Sequence, residues 1–277
     1  MADVNRRVAV FGYIPETAAL LDLVAPMADL AALITPANRV PDAALVGKAT
    51  SRGVPVFVQP RRDWAGGEGF LASLRESRAD LFLVFSYSLI LDARILGLPR
   101  LGAVNLHSGK LPEYRGGNPV NWAIINGETE AGVTLHWLDT GIDTGPVIAR
   151  RTVGIGFRDT ALDLKNRLLE SGFDLLREHL PGILAGSAPA IPQAEGSART
   201  WPRRRPEDGV IDWRRPTLEI YNLIRGLVRP WPGAWFIDAN GSKRVVDEFL
   251  ELDQVDRLRA EMMDKPADRP KQTPEGN

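Results

Sequence analysis

The chain has 277 residues, of which 44% are hydrophobic and 25% charged, and its formal net charge at pH 7 is −1. This length allows a large α/β core with a small second domain, and the balanced charge argues against a protein whose main task is to grip nucleic acid. The sequence contains 0 cysteines, which excludes disulfides and thiol chemistry. No apolar run has the length of a membrane helix and no signal-peptide pattern is present, so we expect a cytoplasmic protein without membrane contact.

Strand-like and helix-like segments alternate through the first half of the chain, which predicts a parallel sheet with crossover helices. One segment, 79–85, is nearly all apolar, as is typical of a strand buried on both faces. The predicted strands are 8–11, 29–34, 54–58, 79–85 and 103–106. The predicted helices are 16–27, 43–52 and 67–77.

The second half continues with a different order of elements. Apolar residues recur at helical spacing in 160–179, and helix 119–126 precedes strands 132–138 and 145–153. Beyond them we predict helix 218–228 and a hairpin of strands 234–238 and 243–250.

Composition suggests four segments. Residues 185–206 are rich in Gly, Pro, Ala and Ser, which predicts a linker, and the polar, Pro-rich end of the chain predicts disorder. We therefore predict a catalytic domain over 1–184, a linker over 185–206, a small C-terminal subdomain over 207–262 and a disordered tail over 263–277.

The most informative residues are Asn105 and His107, at the end of a predicted strand. Because they are two apart, their side chains share one face of that strand, and the Pro- and Gly-rich segment 112–119 ends the strand beside them. Asp143 follows on a second glycine-flanked turn and can supply a carboxylate to this pair. An amide, an imidazole and a carboxylate that converge at strand ends form a catalytic arrangement.

These residue types suit acyl transfer to an amine. The attacked carbonyl oxygen gains negative charge and needs a donor, while the amine must lose a proton to a base, directly or through water. Asn105 can donate without changing its protonation state, and His107 can donate to the oxyanion or relay a proton. The sequence lacks cysteine and a Gly-x-Ser-x-Gly elbow, so we favour direct transfer over a covalent acyl-enzyme. No ligand spacing around His107 predicts a metal.

Three motifs in order resemble the folate-dependent formyltransferase family: Asn-x-His at 105–107, Leu-Pro-x-Tyr-Arg-Gly at 111–116 and Asp-x-Gly-x-Asp-x-Gly at 139–145. That family includes methionyl-tRNA formyltransferase, the formyltransferase domain of the aminoarabinose lipid-modification enzyme and sugar-nucleotide N-formyltransferases. Further matches at 205–213 and 230–234 extend the likeness over roughly 8–250. The resemblance implies a Rossmann-like α/β core with a mostly parallel sheet and a small α+β C-terminal subdomain with a helix and a β-hairpin.

The resemblance also implies the chemistry: a formyl group moves from 10-formyltetrahydrofolate to a primary amine. Asn105 would polarise the formyl carbonyl, His107 would stabilise the oxyanion, and Asp143 would tune His107 and accept the amine proton. The implied folate contacts are Ser88, Leu89, Ile90, Asp139 and Gly141.

Residues that flank the catalytic pair in the sequence suggest where the acceptor binds. Lys110 and Arg115 flank the catalytic pair and could meet a diphosphate, and Asn118 is the third candidate substrate contact. Where many family members have His-x-Ser-Leu-Leu-Pro, this chain has Gly109 and Lys110 in the third and fourth positions. His136, on an alternating strand, is predicted to support the site rather than to react.

We predict a nucleotide-linked amino sugar as the acceptor, since 116–122 is similar to the sugar-modifying branch. Methionyl-tRNA formyltransferases carry a full C-terminal β-barrel, so the short C-terminal part argues against tRNA. The resemblance and the apolar C-terminal helix suggest a homodimer. Three alternatives stay open: a methionyl-tRNA formyltransferase, formylation of another small amine, and a silent folate-binding relative.

Overall fold

A computed structural model describes residues 5–61 and 67–264. Its strands, in the order of the sequence, are β1 (Arg7–Phe11), β2 (Asp29–Pro36), β3 (Val56–Gln59), β4 (Leu81–Phe85), β5 (Ala103–His107), β6 (Arg115–Gly116), β7 (Glu130–Trp137), β8 (Val147–Gly154), β9 (Thr200–Trp201), β10 (Ala234–Ile237) and β11 (Lys243–Val246). Its α-helices are α1 (Thr17–Val24), α2 (Ala43–Ser51), α3 (Gly67–Glu76), α4 (Ala93–Leu96), α5 (Pro119–Ile125), α6 (Ala161–Ala185), α7 (Thr217–Arg225) and α8 (Leu252–Asp264).

Seven strands form the main sheet in the order β3-β2-β1-β4-β5-β7-β8. The first five of these pair in parallel, as their connecting helices require, whereas β7 runs antiparallel to β5. β1 and β4 lie in the middle, and their apolar side chains, such as those of Phe11 and Phe82, are buried. This arrangement confirms the predicted α/β core with a mostly parallel sheet.

Contacts divide the chain into two compact units. Unit 1 contains Met1–Pro119, Ala131–Val153 and Arg167–Trp201, and unit 2 contains Val120–Glu130, Gly154–Asn166 and Pro202–Asn277. In unit 2 the antiparallel β10–β11 hairpin accompanies α7 and α8 around a buried cluster that includes Tyr221 and Val255. The predicted helix and hairpin are confirmed here.

The structure differs from the predicted segments in their bounds and in some of their elements. Residues 185–201 belong to unit 1, although their composition is that of a linker, and 120–130 with 154–166 belong to unit 2. α6 continues past the predicted end at residue 179, through Pro181, to Ala185. The prediction lacks α8, because Val255 is its one fully buried apolar position and most of its other residues are polar. Of the predicted tail, 263–264 end α8 and 265–277 lie outside the described residues.

Within the described part of the chain, no helix is both long enough and apolar enough to cross a membrane.

Candidate active site

β5 and β7 bring four polar side chains to neighbouring strands. In their antiparallel register, Asn105 lies opposite His136 and His107 lies opposite Thr134. Because residues two apart face the same side of a strand, each strand contributes a pair to one face. His107, Thr134 and His136 are buried, and Asn105 is half-buried. The pairing therefore collects an amide, a hydroxyl and two imidazoles beside the end of β5.

Asp143 reaches this group from the turn between β7 and β8. Its φ of +53° lies in the left-handed region, which Asp tolerates better than most residues. One carboxylate oxygen, Oδ2, accepts the backbone N–H of Gly116 at 2.8 Å and lies 3.7 Å from Nδ1 of His107. The other, Oδ1, lies 3.4 Å from Nδ2 of Asn105 and 3.6 Å from Nε2 of His136. Two of the predicted catalytic residues, Asn105 and His107, thus lie next to the carboxylate of the third, Asp143.

The Gly116 amide can reach that carboxylate because residue 116 has no side chain. Its φ is +93°, and a Cβ atom there would lie 2.2 Å from the backbone oxygen of Trp201. The close approach comes from the parallel pairing of β6 with β9. Glycine is therefore required by both the backbone conformation and the neighbouring strand.

The imidazole of His107 is fixed by the backbone of a nearby loop. Its Nε2 lies 2.7 Å from the carbonyl oxygen of Tyr114, and because a carbonyl only accepts hydrogen bonds, Nε2 carries the proton. Nδ1 is consequently the nitrogen that faces Asp143. A Cβ at Gly109 would lie 2.4 Å from Nε2 and 2.6 Å from that carbonyl, so the glycine at this position leaves room for the bond.

Thr134 holds the loop that carries Gly109. Its hydroxyl donates to the carbonyl of Gly109 at 2.7 Å and accepts from the backbone N–H of Leu111 at 3.2 Å. The partner of His107 in the strand ladder therefore fixes the backbone that surrounds the imidazole.

The two ionisable partners have pKa values shifted in the same direction for different reasons. Burial lowers the pKa of His107, as does neighbouring His136, while Asp143 and the Tyr114 carbonyl oppose that shift. Burial acts to raise the pKa of Asp143, but His107, His136 and the Gly116 N–H outweigh it and hold this pKa well below its usual range. At neutral pH the site therefore presents a neutral imidazole beside a carboxylate.

His136 is oriented by a carbonyl as well. Its Nδ1 lies 2.8 Å from the backbone oxygen of Trp137, so in the neutral ring Nε2 is left as an acceptor for Nδ2 of Asn105 at 3.2 Å. The ring is fully buried. This placement agrees with a supporting role and sets the direction of the Asn105 amide.

Comparison with known proteins shows which family the chain belongs to. Residues 7–180 match the family described as formyl transferase, and residues 204–255 match its C-terminal domain. The chain belongs to the formyl transferase family. The resemblance noted in the sequence is thereby confirmed, together with the prediction of a folate-dependent N-formyltransferase enzyme.

Solved structures of formyltransferases share the fold. An uncharacterised protein from Mycobacterium tuberculosis, assigned as a sugar N-formyltransferase, is 27% identical with a TM-score of 0.71, covering 90% of this chain and 98% of its own. A sugar N-formyltransferase from a Shewanella species is 19% identical with a TM-score of 0.74, covering 89% and 98%. An N-formyltransferase from Helicobacter canadensis, solved with folinic acid and dTDP-3-aminofucose, is 22% identical with a TM-score of 0.63, covering 80% of each chain.

The predicted folate loop follows β4 at the same edge of the sheet as His107. Within it, Ser88 Oγ donates to the side-chain oxygen of Asn38 at 2.7 Å, and the carbonyl of Ile90 accepts from Nε2 of Gln59 at 3.1 Å. Leu89 is half-buried, whereas Ile90 is 62% exposed. Their contact with folate stays a prediction.

Asp139 shapes the turn that carries Asp143. Its Oδ1 accepts the backbone N–H of Gly141 at 3.0 Å and the hydroxyl of Thr144 at 2.6 Å. These bonds are typical of a turn-forming aspartate. The predicted folate contacts of Asp139 and Gly141 stay predictions.

The predicted substrate contacts differ in their surroundings. Lys110 and Asn118 are half-buried, and their roles stay predictions. Arg115 is only 5% exposed, and its guanidinium donates to the side chains of Gln193 and Glu195. A diphosphate would have to displace these internal partners. In the structure, Arg115 is therefore engaged with protein side chains at the place where a diphosphate contact was predicted.

Sequence reasoning missed four groups that shape the site: the Thr134 hydroxyl, the Tyr114 carbonyl, the Gly116 amide and the Gln193 side chain. Thr134 could have been found, because it precedes His136 by two residues on an alternating strand. The backbone groups and Gln193 give no comparable signal. Among residues 5–61 and 67–264, no group of three or more His, Cys, Asp or Glu side chains has an arrangement that could hold a metal ion.

A cavity of about 550 Å³ lies elsewhere in unit 1, at the amino ends of β1, β2 and β3. Its lining includes Arg7, Arg52, Gly53 and Glu76. Arg7 donates to the carbonyl of Ser77 at 3.0 Å. This place lies at the opposite ends of the parallel strands from His107.

Proposed function

We propose that the chain transfers a formyl group from 10-formyltetrahydrofolate to the primary amine of a nucleotide-linked amino sugar. The observation that carries the proposal is the pair of acceptors formed by His107 Nδ1 and Asp143 Oδ2, 3.7 Å apart, with the Asn105 amide beside them. Two acceptors that face each other suit an amine, which brings protons to both. The family match supplies the formyl transfer.

Asn105 is the donor best suited to the formyl oxygen. One hydrogen of Nδ2 is directed at His136, at 3.2 Å, and the other makes only a long contact of 3.4 Å to Asp143. The long contact is weak, so this hydrogen can turn to an oxygen that gains negative charge. Donors already in place for such an oxygen stabilise the transition state without reorganisation.

His107 is better suited to be the base than the oxyanion donor that the sequence suggests. Its Nε2 proton is held by the Tyr114 carbonyl, and burial lowers its pKa, so Nδ1 presents a lone pair. His107 would take the proton that the amine loses on attack, and Asp143 would stabilise the resulting imidazolium. His107 can then give this proton to the nitrogen that leaves.

The residues present fit the folate donor. The loop of residues 87–91 follows β4 outside any helix or strand; its Ile90 carbonyl is held by Gln59, and the side chain of Ile90 is exposed. A pterin ring has donors and acceptors on its edge and apolar faces, which such a loop complements. When bound, the folate supplies the formyl group and accepts a proton on the nitrogen from which it departs.

The amino-sugar acceptor is supported by the neighbours in structure. Sugar N-formyltransferases are matched over 98% of their own length, and the Helicobacter canadensis protein was solved with a nucleotide-linked amino sugar and a folate. Lys110 and Asn118 lie beside the catalytic group in sequence and would contact this acceptor.

The test is a formyl-transfer assay with 10-formyltetrahydrofolate against a panel of amino-sugar nucleotides, with charged initiator tRNA and glycinamide ribonucleotide as separate acceptors. We expect turnover of one sugar nucleotide that is lost in Asn105→Ala and kept in the control Asn240→Ala, which changes an exposed hairpin residue. Turnover of tRNA or of the ribonucleotide alone would overturn the proposed acceptor. Folate binding without transfer to any amine would overturn the activity.

A further inference from the structure

Residues 191–201, predicted as part of a linker, lie against two loops that carry active-site groups. At one end of this segment, which we call the strap, the backbone of Ile191 exchanges two hydrogen bonds with Val147, at 2.8 and 2.9 Å. At the other end, the Trp201 ring stacks on Tyr114 with centroids 5.5 Å apart, and its N–H donates to the carbonyl of Glu113 at 3.1 Å. The strap is therefore fixed at both ends within unit 1.

Gln193 connects the strap to the turn that contains Asp143. Its Nε2 donates to the backbone carbonyl of Asp143 at 2.8 Å and to that of Gly145 at 2.7 Å, so both amide hydrogens are used. Asp143 has a left-handed backbone conformation with φ of +53°, which costs free energy unless neighbours hold it. Gln193 therefore holds the backbone of the residue whose carboxylate faces His107.

Arg115 in turn fixes the orientation of Gln193. Its Nε donates to Oε1 of Gln193 at 3.0 Å, which directs the amide hydrogens toward the turn. Its two terminal nitrogens donate to the carboxylate of Glu195 at 3.2 and 2.9 Å. The side chain of Arg115 is 6% exposed and that of Glu195 is 74% exposed, so an accessible carboxylate balances a buried cation.

We propose that Gln193 is a positioning residue for Asp143 and that Arg115 acts through it, not through contact with a substrate diphosphate. This inference rests on the proposed function, in which Asp143 stabilises protonated His107. The carboxylate of Asp143 is held by the amide of Gly116 and its carbonyl by Gln193. Loss of the Gln193 amide would release the backbone of Asp143 and move the carboxylate away from His107.

The test uses Gln193→Met, which keeps the length of the side chain and removes its hydrogen bonds. Asp143→Asn serves as the reference for complete loss of the carboxylate charge, and Ser197→Ala as a control within the strap. NMR titration of ¹³C-labelled histidine measures the pKa of His107, whose signal is assigned from its absence in His107→Asn. The charged or titratable groups that face this ring are Asp143 on the β7–β8 turn and His136 on β7.

In Gln193→Met we expect the His107 pKa to fall toward its value in Asp143→Asn, because the nearby negative charge is what raises it. We also expect kcat to fall by about 10- to 100-fold, as for displaced catalytic groups, with little change in KM and with Ser197→Ala unaffected. An unchanged His107 pKa in Gln193→Met would overturn the inference, as would the absence of any fall in Asp143→Asn. A lower unfolding temperature with an unmoved titration would show a merely structural role and would also overturn it.

The titration needs no turnover, so it decides the inference even if the unmodified protein formylates no amine and the proposed function fails. Glu195→Gln provides a second variant if Gln193→Met does not fold, because Glu195 is exposed. A neutral partner weakens the hold on Arg115, so the His107 pKa and kcat should fall in the same direction by less. Unchanged values in a folded Glu195→Gln would then count against the inference.

Discussion

The two ends of the parallel strands differ in the polar groups that they present. We call these places the amino edge and the carboxyl edge of the sheet. The amino edge has the cavity of about 550 Å³, but its charges lie near water and pair on the surface, as Arg52 does with Asp22. At the carboxyl edge, His107 is 7% exposed and His136 is fully buried, and both lie close to Asp143. We therefore base the proposed site in unit 1 on polar groups that are buried and close to one another, and not on the size of a cavity.

The largest expected effect is at the carboxyl edge. His107→Asn removes the nitrogen that faces Asp143 and should lower kcat by about 100- to 1000-fold, the range for loss of a base or an oxyanion donor. Steady-state kinetics measures this, and His179→Asn, which changes a histidine of α6, is the matched control. Near-normal turnover in a folded His107→Asn would remove His107 from the mechanism.

Two glycines, one at each edge, allow the edges to be compared by the unfolding free energy that an alanine substitution costs. Gly53 at the amino edge has φ of +69° and open space for a side chain, whereas Gly116 has φ of +93° and the Trp201 carbonyl 2.2 Å from an added Cβ. Gly53→Ala should cost about 1–2 kcal/mol of unfolding free energy from its left-handed backbone alone. Gly116→Ala should cost about 3 kcal/mol or more and lower kcat, because the backbone must also move. Urea unfolding measures both losses, and equal losses would contradict the assignment of a steric role to Trp201.

The pH dependence of kcat/KM is the next effect. In the proposed mechanism the base is a neutral His107, whose pKa lies below the usual value of about 6.5. Activity should therefore stay level as the pH falls through 6.5 and decline only below it, when the ring gains a proton. Rates at each pH, with the integrity of the donor checked by absorbance, measure this decline. A decline that begins above pH 6.5 would contradict a neutral buried base.

The smallest effect belongs to the amino edge. Arg52→Ala removes a cavity-lining charge and its ion pair with Asp22, both partly exposed. Exposed pairs contribute about 0–1 kcal/mol, so we expect little change in stability and an unchanged kcat. A large loss of activity would show that the cavity takes part in catalysis and would break the comparison.

The sequence predicts the central strands well, because β1 and β4 are apolar and fully enclosed by neighbouring elements. The two-residue spacing of Asn105 and His107 is also enough to predict that their side chains share one face of a strand. The position of Asp143 beside them was implied by the family resemblance, since nothing local fixes where a turn 36 residues beyond His107 will lie.

The strap shows why other parts could not be predicted. Residues 185–206 have the composition of a linker, yet Gln193 and Trp201 hold loops that are distant in sequence. Long-range hydrogen bonds from single polar side chains leave no periodic pattern. The sequence suggests a substrate contact for Arg115 because it lies near the motif, and only the hydrogen bonds of its guanidinium to Gln193 and Glu195 reveal its internal partners.

The pairing of β5 with β7 also limits how this chain can vary in length. Side chains alternate along a strand, so one residue inserted between Ala131 and Thr134 would turn Thr134 and His136 to the opposite face of the sheet. Asn105 and His107 would then face two side chains of another kind, although every local segment had kept its composition. Length differences among active descendants of this sequence should therefore fall in turns that carry no site residue, and spare both this strand and the 138–146 turn that holds Asp143.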